Sequence, residues 1–138
     1  MGFDEQLTKI RRKERGRDET WIREFLVRAE YGTLATVQDD QPFLVTRNYA
    51  YDEAAHAIYM HGAKKGRTYE SAGIAPRVCF SISESGRLLP GKRASNLGTE
   101  FSGVVIFGRL QVVADPDEAK HGLQLLCDKY FPHLKPDV

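Results

Sequence analysis

The chain has 138 residues, 41% of them hydrophobic and 28% charged, with a formal net charge of +1. That length fits one domain spanning 1–138, able to bury roughly two thirds of its unfolded surface without staples. The charge balance gives no global pull toward nucleic acid or an anionic membrane, no apolar run reaches the length of a membrane span, and no apolar core follows the N-terminal charges to make a secretory signal. A cytoplasmic setting is the expectation.

Residues 9–17, KIRRKERGR, carry six basic side chains against one acid. They read as a basic N-terminal arm, solvated and without the aromatic platform of a nucleic-acid site. Residues 18–30 follow as a helix, with Trp21, Ile22, Phe25, Leu26 and Ala29 on one face. At Thr33 the period switches to two. The spacing predicts strands over 33–38, 43–51, 56–61, 77–83 and 99–113, five in all. Asp39-Asp40-Gln41 and residues 52–55 are turns. A short helix is expected over 68–73. The Gly- and Ser-rich, basic stretch 84–98 reads as a long mobile loop. Asp115-Pro116-Asp117-Glu118 announces a last helix, with an N-cap aspartate and proline in the first turn. Pro132 ends it. An antiparallel sheet with helices at its ends should curl into a barrel, because closure removes exposed strand edges.

Chemistry concentrates in residues 59–67, YMHGAKKGR. Lys64, Lys65 and Arg67 fall within four positions, bracketed by Gly62 and Gly66. Glycines let a backbone approach a ligand and aim its N–H groups, and mobile cations complete what a phosphate needs. The same composition also suits a solvated surface turn, and no P-loop pattern occurs. A second segment, Thr46-Arg47-Asn48-Tyr49, places polar residues in an otherwise apolar strand. It could support a planar heterocycle through its backbone, the Asn48 amide and the Arg47 charge, or it could be a solvent-facing arginine beside a bulge. His56 and His61 fall on opposite faces of an extended segment, and no ligand spacing supports a metal. No elbow motif supports a serine nucleophile. Cys79 and Cys127 form no CxxC pair, and Cys79 reads as buried packing.

Taken in order, the arginine-rich 11–15 segment, YGTLAT (31–36), NYAYD (48–52), IYMHGAKKGR (58–67), PRVCF (76–80), VVIFG (104–108) and KYFP (129–132) resemble the pyridoxamine 5′-phosphate oxidase-like FMN-binding split barrels. The nearest branch in appearance is that of the Nim-type nitroimidazole-resistance proteins. The resemblance covers nearly the whole chain. It implies a mainly β, six-stranded Greek-key split barrel with flanking helices, and a homodimer with flavin at the interface. It implies a flavin ring along Thr46–Tyr49, and His61, Gly62 and Ala63 against ring and ribityl chain. Lys65, Gly66 and Arg67 would hold the phosphate. His61 would be the proton donor, since an imidazole titrates near neutrality.

FMN is preferred to FAD or deazaflavin. The implied activity is a flavin-dependent oxidoreductase acting on a small oxidant such as a nitroaromatic, a quinone or another flavin. A non-enzymatic flavin-storage module and a haem-binding split barrel are the alternatives. Three departures stand out. The family often has proline near Thr46 and serine near Gly103, and it usually continues past KYFP into a final barrel strand, so this chain, ending at Val138, either lacks that strand or closes the barrel another way.

Overall fold

The structure is a computed structural model, and it describes residues 5–74 and 76–138. A single turn of helix, α1 (Glu5–Thr8), and a 3-10 turn at Lys13–Arg15 lie in the N-terminal arm. Helix α2 spans Glu19–Arg28 and is capped by Asp18, whose carboxylate accepts from the Trp21 N–H at 2.9 Å. It ends two residues earlier than the periodicity predicts, at Arg28. Strands β1 (Gly32–Gln38) and β2 (Gln41–Arg47) form a hairpin through Asp39 and Asp40, both at positive φ. Two successive positive-φ residues match the right-handed twist of the strands they join.

Strands β3 (Ala50–Asp52) and β4 (Ala57–Tyr59) make a second hairpin. Helix α3 (Arg67–Ala72) follows, then the long strands β5 (Arg77–Leu89) and β6 (Gly98–Arg109), and finally helix α4 (Pro116–Tyr130). Asp115 caps α4 by accepting from the Asp117 N–H, with Pro116 in the first turn. All pairings are antiparallel: a four-stranded sheet ordered β2-β1-β5-β6 and a two-stranded sheet β3-β4. The fold is a six-stranded split barrel with flanking helices.

The extra strand over the five expected has a clear cause. Residues 43–51 do not run as one strand, because the chain breaks at Asn48 and Tyr49. Tyr49 turns fully into the core, 0% exposed, and its hydroxyl donates to the Leu26 carbonyl at 2.6 Å. The expected mobile loop over 84–98 is also corrected. Strand β5 continues to Leu89 and pairs with β6 as far as Gly98, across an irregularity between Ser85 and Leu88. A forked ion pair, Arg87 to Glu100 at 2.6 Å, clasps this arm. Conversely, the strand expected over 99–113 ends at Arg109.

Alternation decides which face is inside. Val45, Leu34, Phe80 and Ile106 stand in one cross-strand row and meet Phe25 and Leu26 of α2 in the core. Arg28 reaches Glu84 through two hydrogen bonds and fastens α2 to β5. The opposite sheet face presents Leu44, Ala35, Cys79 and Phe107 in one row, and Thr46, Thr33, Ser81 and Val105 in the next. Leu44 and Phe101 are each 65% exposed there. Among the described residues, no helix is long and apolar enough to cross a membrane.

Candidate functional site

Strand β2 is an edge strand, and its period of two sorts the residues flagged in the sequence. Phe43, Val45 and Arg47 share one face, while Leu44 and Thr46 share the other. The connection from β4 to α3 arches over the first set. At its start the Arg47 guanidinium donates to the His61 carbonyl at 3.5 Å. It lies so close to Gly62 that a Cβ there would stand 3.1 Å from Nη1. At its end the Arg67 guanidinium stacks on the Phe43 ring, 4.0 Å from its centroid. One face of one strand thus anchors both ends of the loop.

Between these anchors, Ala63, Lys64, Lys65 and Gly66 are exposed. Gly66 has φ +96°, a left-handed conformation that L side chains rarely adopt. Among the described residues, Lys64 and Lys65 have no ion-pair partner, and no protein acceptor takes the N–H groups of residues 62–66. Three cations and a run of free donors therefore face solvent from a segment fixed at both ends. Such a constellation attracts an anion. The His61 side chain is also exposed, beside Arg47.

The structure brings together Arg47, His61 and Gly62, and ties Arg67 to the same strand. It separates the rest of the predicted ring segment. The Thr46 side chain is on the open sheet face, away from Arg47. The Asn48 amide donates to the Glu30 carbonyl at 3.2 Å, which holds the bend. The Tyr49 side chain is core. Burial, with a smaller contribution from Tyr130, pushes its phenol above the ordinary range, so it stays neutral.

A cleft of about 520 Å³ opens on the other side of Asn48, lined in part by Glu30, Tyr31, Lys129 and Tyr130. It receives none of the loop residues 61–67. The Tyr130 hydroxyl is the node behind it, accepting from the Tyr49 N–H at 3.1 Å and lying within donating reach of the carbonyls of Tyr49 and Glu30. Lys129 donates to the Tyr49 carbonyl at 3.0 Å. The sequence offered KYFP only as part of a resemblance, and a lysine at a helix end gives no local sign of burial. Toward the N-terminal end of α4, His121 meets Asp52 at 2.7 Å and Tyr59 donates to Glu118 at 3.0 Å. Among the described residues no cluster of histidine, cysteine or carboxylate side chains could hold a metal ion.

The sequence profile of the pyridoxamine 5′-phosphate oxidase family matches residues 18–137. The chain belongs to this family. No curated protein matches it in sequence. Among solved structures, the flavocytochrome Anf3 from Azotobacter vinelandii is similar at a TM-score of 0.82 and 19% identity, covering 96% of this chain and 63% of its own. The FAD and heme binding protein from Mycobacterium smegmatis gives 0.76 and 17%, covering 88% of this chain and 60% of its own. A candidate 5-nitroimidazole antibiotic resistance protein from Bacteroides thetaiotaomicron gives 0.70 and 19%, with 88% and 69% covered. The chain thus spans about three fifths of the length of the first two. At these identities the likeness is one of fold.

Proposed function

We propose that this chain binds a flavin mononucleotide and serves as a flavin-dependent oxidoreductase. The observation that carries the reading is the cationic loop His61–Arg67, pinned at both ends to β2. Lys65, the Gly66 backbone and Arg67 would hold the phosphate. Arg47, with the backbone of Thr46 to Tyr49, would line the ring, and His61, Gly62 and Ala63 the ribityl side. The residues fit the group, because fixed N–H donors and mobile cations meet the phosphate while an arginine stands where negative charge on a ring would collect. The Asn48 and Tyr49 side chains hold the bend rather than the ligand.

When bound, a flavin supplies two-electron transfer to or from a small oxidant such as a nitroaromatic, a quinone or another flavin. The chain's own part is to orient, to place the Arg47 charge, and to deliver a proton from the exposed His61 imidazole. A second copy would complete the site. The open sheet face, with Leu44, Phe101 and Val105 all more than half exposed, would be the contact of a two-fold dimer. Thr46 on that face and Arg47 on the loop side are adjacent on one edge strand, so a dimer there would stand beside the loop. A cytoplasmic setting agrees with two unpaired cysteines.

One neighbour is named a flavocytochrome and another a FAD and heme binding protein, which keeps a haem-binding reading in view for the exposed His61. The visible spectrum of purified protein, followed by titration with FMN, FAD and haem, separates these readings. Tightest binding of FMN with flavin bands supports the proposal. Binding of haem alone, with a Soret band and no affinity for flavin, overturns it. Bound flavin that no nicotinamide donor reduces would leave a storage module.

A further inference from the structure

Strands β5 and β6 run on past the body of the sheet, and every residue from Ser83 to Thr99 is exposed. The end of this hairpin is tightly built. Its connection makes a 3-10 turn at Ala94–Asn96, and Gly91 packs so closely that an added Cβ would stand 2.7 Å from the Asn96 side chain. That end nevertheless presents Leu88, 79% exposed, together with Leu89, Leu97, Lys92 and Arg93. One exposed leucine is ordinary, but three on a projecting hairpin mark a contact surface.

The N-terminal arm meets this hairpin at Phe101. The Arg15 guanidinium stands over that ring, 5.6 Å from its centroid. Phe101 and Thr99 share one strand face and Leu88 pairs with Thr99, so Leu88 lies in the row next to the arm. Ile10 folds back toward Gly16, beside Arg15, and both Leu7 and Ile10 are more than half exposed. Among the described residues, Lys9, Arg11, Arg12, Lys13, Lys92 and Arg93 have no ion-pair partner. The net charge of +1 conceals this concentration. Residues 9–17 carry six basic side chains against one acid and residues 85–100 three against one, a surplus of seven. The rest of the chain therefore bears six more acids than bases.

We propose that the hairpin end and the N-terminal arm form one docking surface for an anionic lipid bilayer. The surface is separate from the loop His61–Arg67, and the proposal does not rest on the flavin reading. Phe101, already covered by Arg15, is the joint between the two parts and not the contact. Exposed aliphatic side chains interleaved with free cations suit a bilayer interface: the leucines enter the acyl boundary while the cations stay among the headgroup phosphates. A nucleic acid would call for ring platforms or base-reading amides and gains nothing from leucines. The acidic remainder of the chain is repelled by the same membrane, so the asymmetry also sets the orientation.

Each basic residue near an anionic surface is worth about fivefold in partitioning. The test mixes the full chain with vesicles of phosphatidylcholine alone, or of equal parts phosphatidylcholine and phosphatidylglycerol, and measures co-sedimentation. Binding is expected to the second kind only, and added salt should weaken it. Lys92→Gln with Arg93→Gln should lower the partition about 25-fold. Leu88→Ser with Leu97→Ser should lower it about tenfold with the charge unchanged. Circular dichroism checks that these exposed substitutions leave the fold intact. Lys64→Gln with Lys65→Gln, in the other cationic segment, should leave vesicle binding as it was. Equal binding to both vesicles, or to neither, overturns the proposal, as does tighter binding to a DNA duplex than to the anionic vesicles. A leucine variant that binds like the parent also overturns it, and if that variant loses a dimer in sedimentation the leucines belong to a contact between copies.

Discussion

Replacing Arg67 by alanine tests the phosphate grip apart from the rest of the site. Its guanidinium rests on the Phe43 ring, an exposed cation–π contact worth about 0.5–1 kcal/mol. A charge-assisted hydrogen bond to a phosphate oxygen is worth about 1.5–3 kcal/mol. Exchanging the ring for the phosphate therefore nets about 1–2 kcal/mol, and Arg67→Ala should weaken FMN binding about 5- to 30-fold. Riboflavin has no phosphate, so its affinity should change less than about twofold. Phe43→Ala is the companion variant. It removes the resting place of Arg67 and should tighten FMN up to about fivefold. Flavin fluorescence titrations of the three proteins with both ligands give all six constants. Equal losses for FMN and riboflavin in Arg67→Ala would mean the residue supports the fold instead. An unchanged FMN constant would place the phosphate elsewhere.

Three further outcomes are expected. Tyr49→Phe deletes the hydroxyl bonded to the Leu26 carbonyl inside the core, and should cost about 1–3 kcal/mol in urea unfolding without a change in m-value. Gly66→Ala forces a Cβ onto a φ of +96°, and should cost about 1–2 kcal/mol by the same assay while loosening FMN if the loop backbone contacts it. The third concerns acid. A hydrogen bond from His121, then the Ala55 N–H, holds the Asp52 carboxyl below its ordinary 3.8. A depressed folded pKa means the unfolded chain binds more protons in that range, so this contribution is complete above 3.8 and drains as pH falls through the folded value. Asp52→Asn should flatten the acid side of a stability profile taken from about pH 5 to pH 2, and an unaltered slope would show that Asp52 does not carry it.

Much of the fold was legible because its determinants are local. The α2 stripe, the alternation of β1 and β5, and the Asp115-Pro116 start of α4 each need only a few neighbouring residues. Two of the errors share the opposite property. Residues 84–98 contain glycine, serine and basic residues that look like a loop, yet Arg87 finds Glu100 and Leu89 finds Gly98 across a hairpin. Cross-strand pairing supplies what propensity there withholds. The break at Asn48 and Tyr49 is decided further away still. Tyr130, 81 residues on, receives the Tyr49 N–H that a continuous strand would have offered to a neighbour.

The candidate site divides along the same line. Lys64, Lys65, Gly66 and Arg67 stand together in the sequence, so the concentration of positive charge in that loop is legible in the order of residues alone. What fixes the loop is not, because Arg47 at Gly62 and Arg67 on Phe43 are contacts between segments that approach only once β2 has become an edge. Lys129 shows the limit most clearly. A lysine in the last turn of a helix is the ordinary partner of the helix dipole, and nothing near it in the sequence argues otherwise. Burial lowers its basicity, and it lies over the ring of Tyr49, a residue that reaches the core only because the second expected strand breaks. The geometry of the bend, and not the identity of the lysine, is what draws this amine out of the solvent.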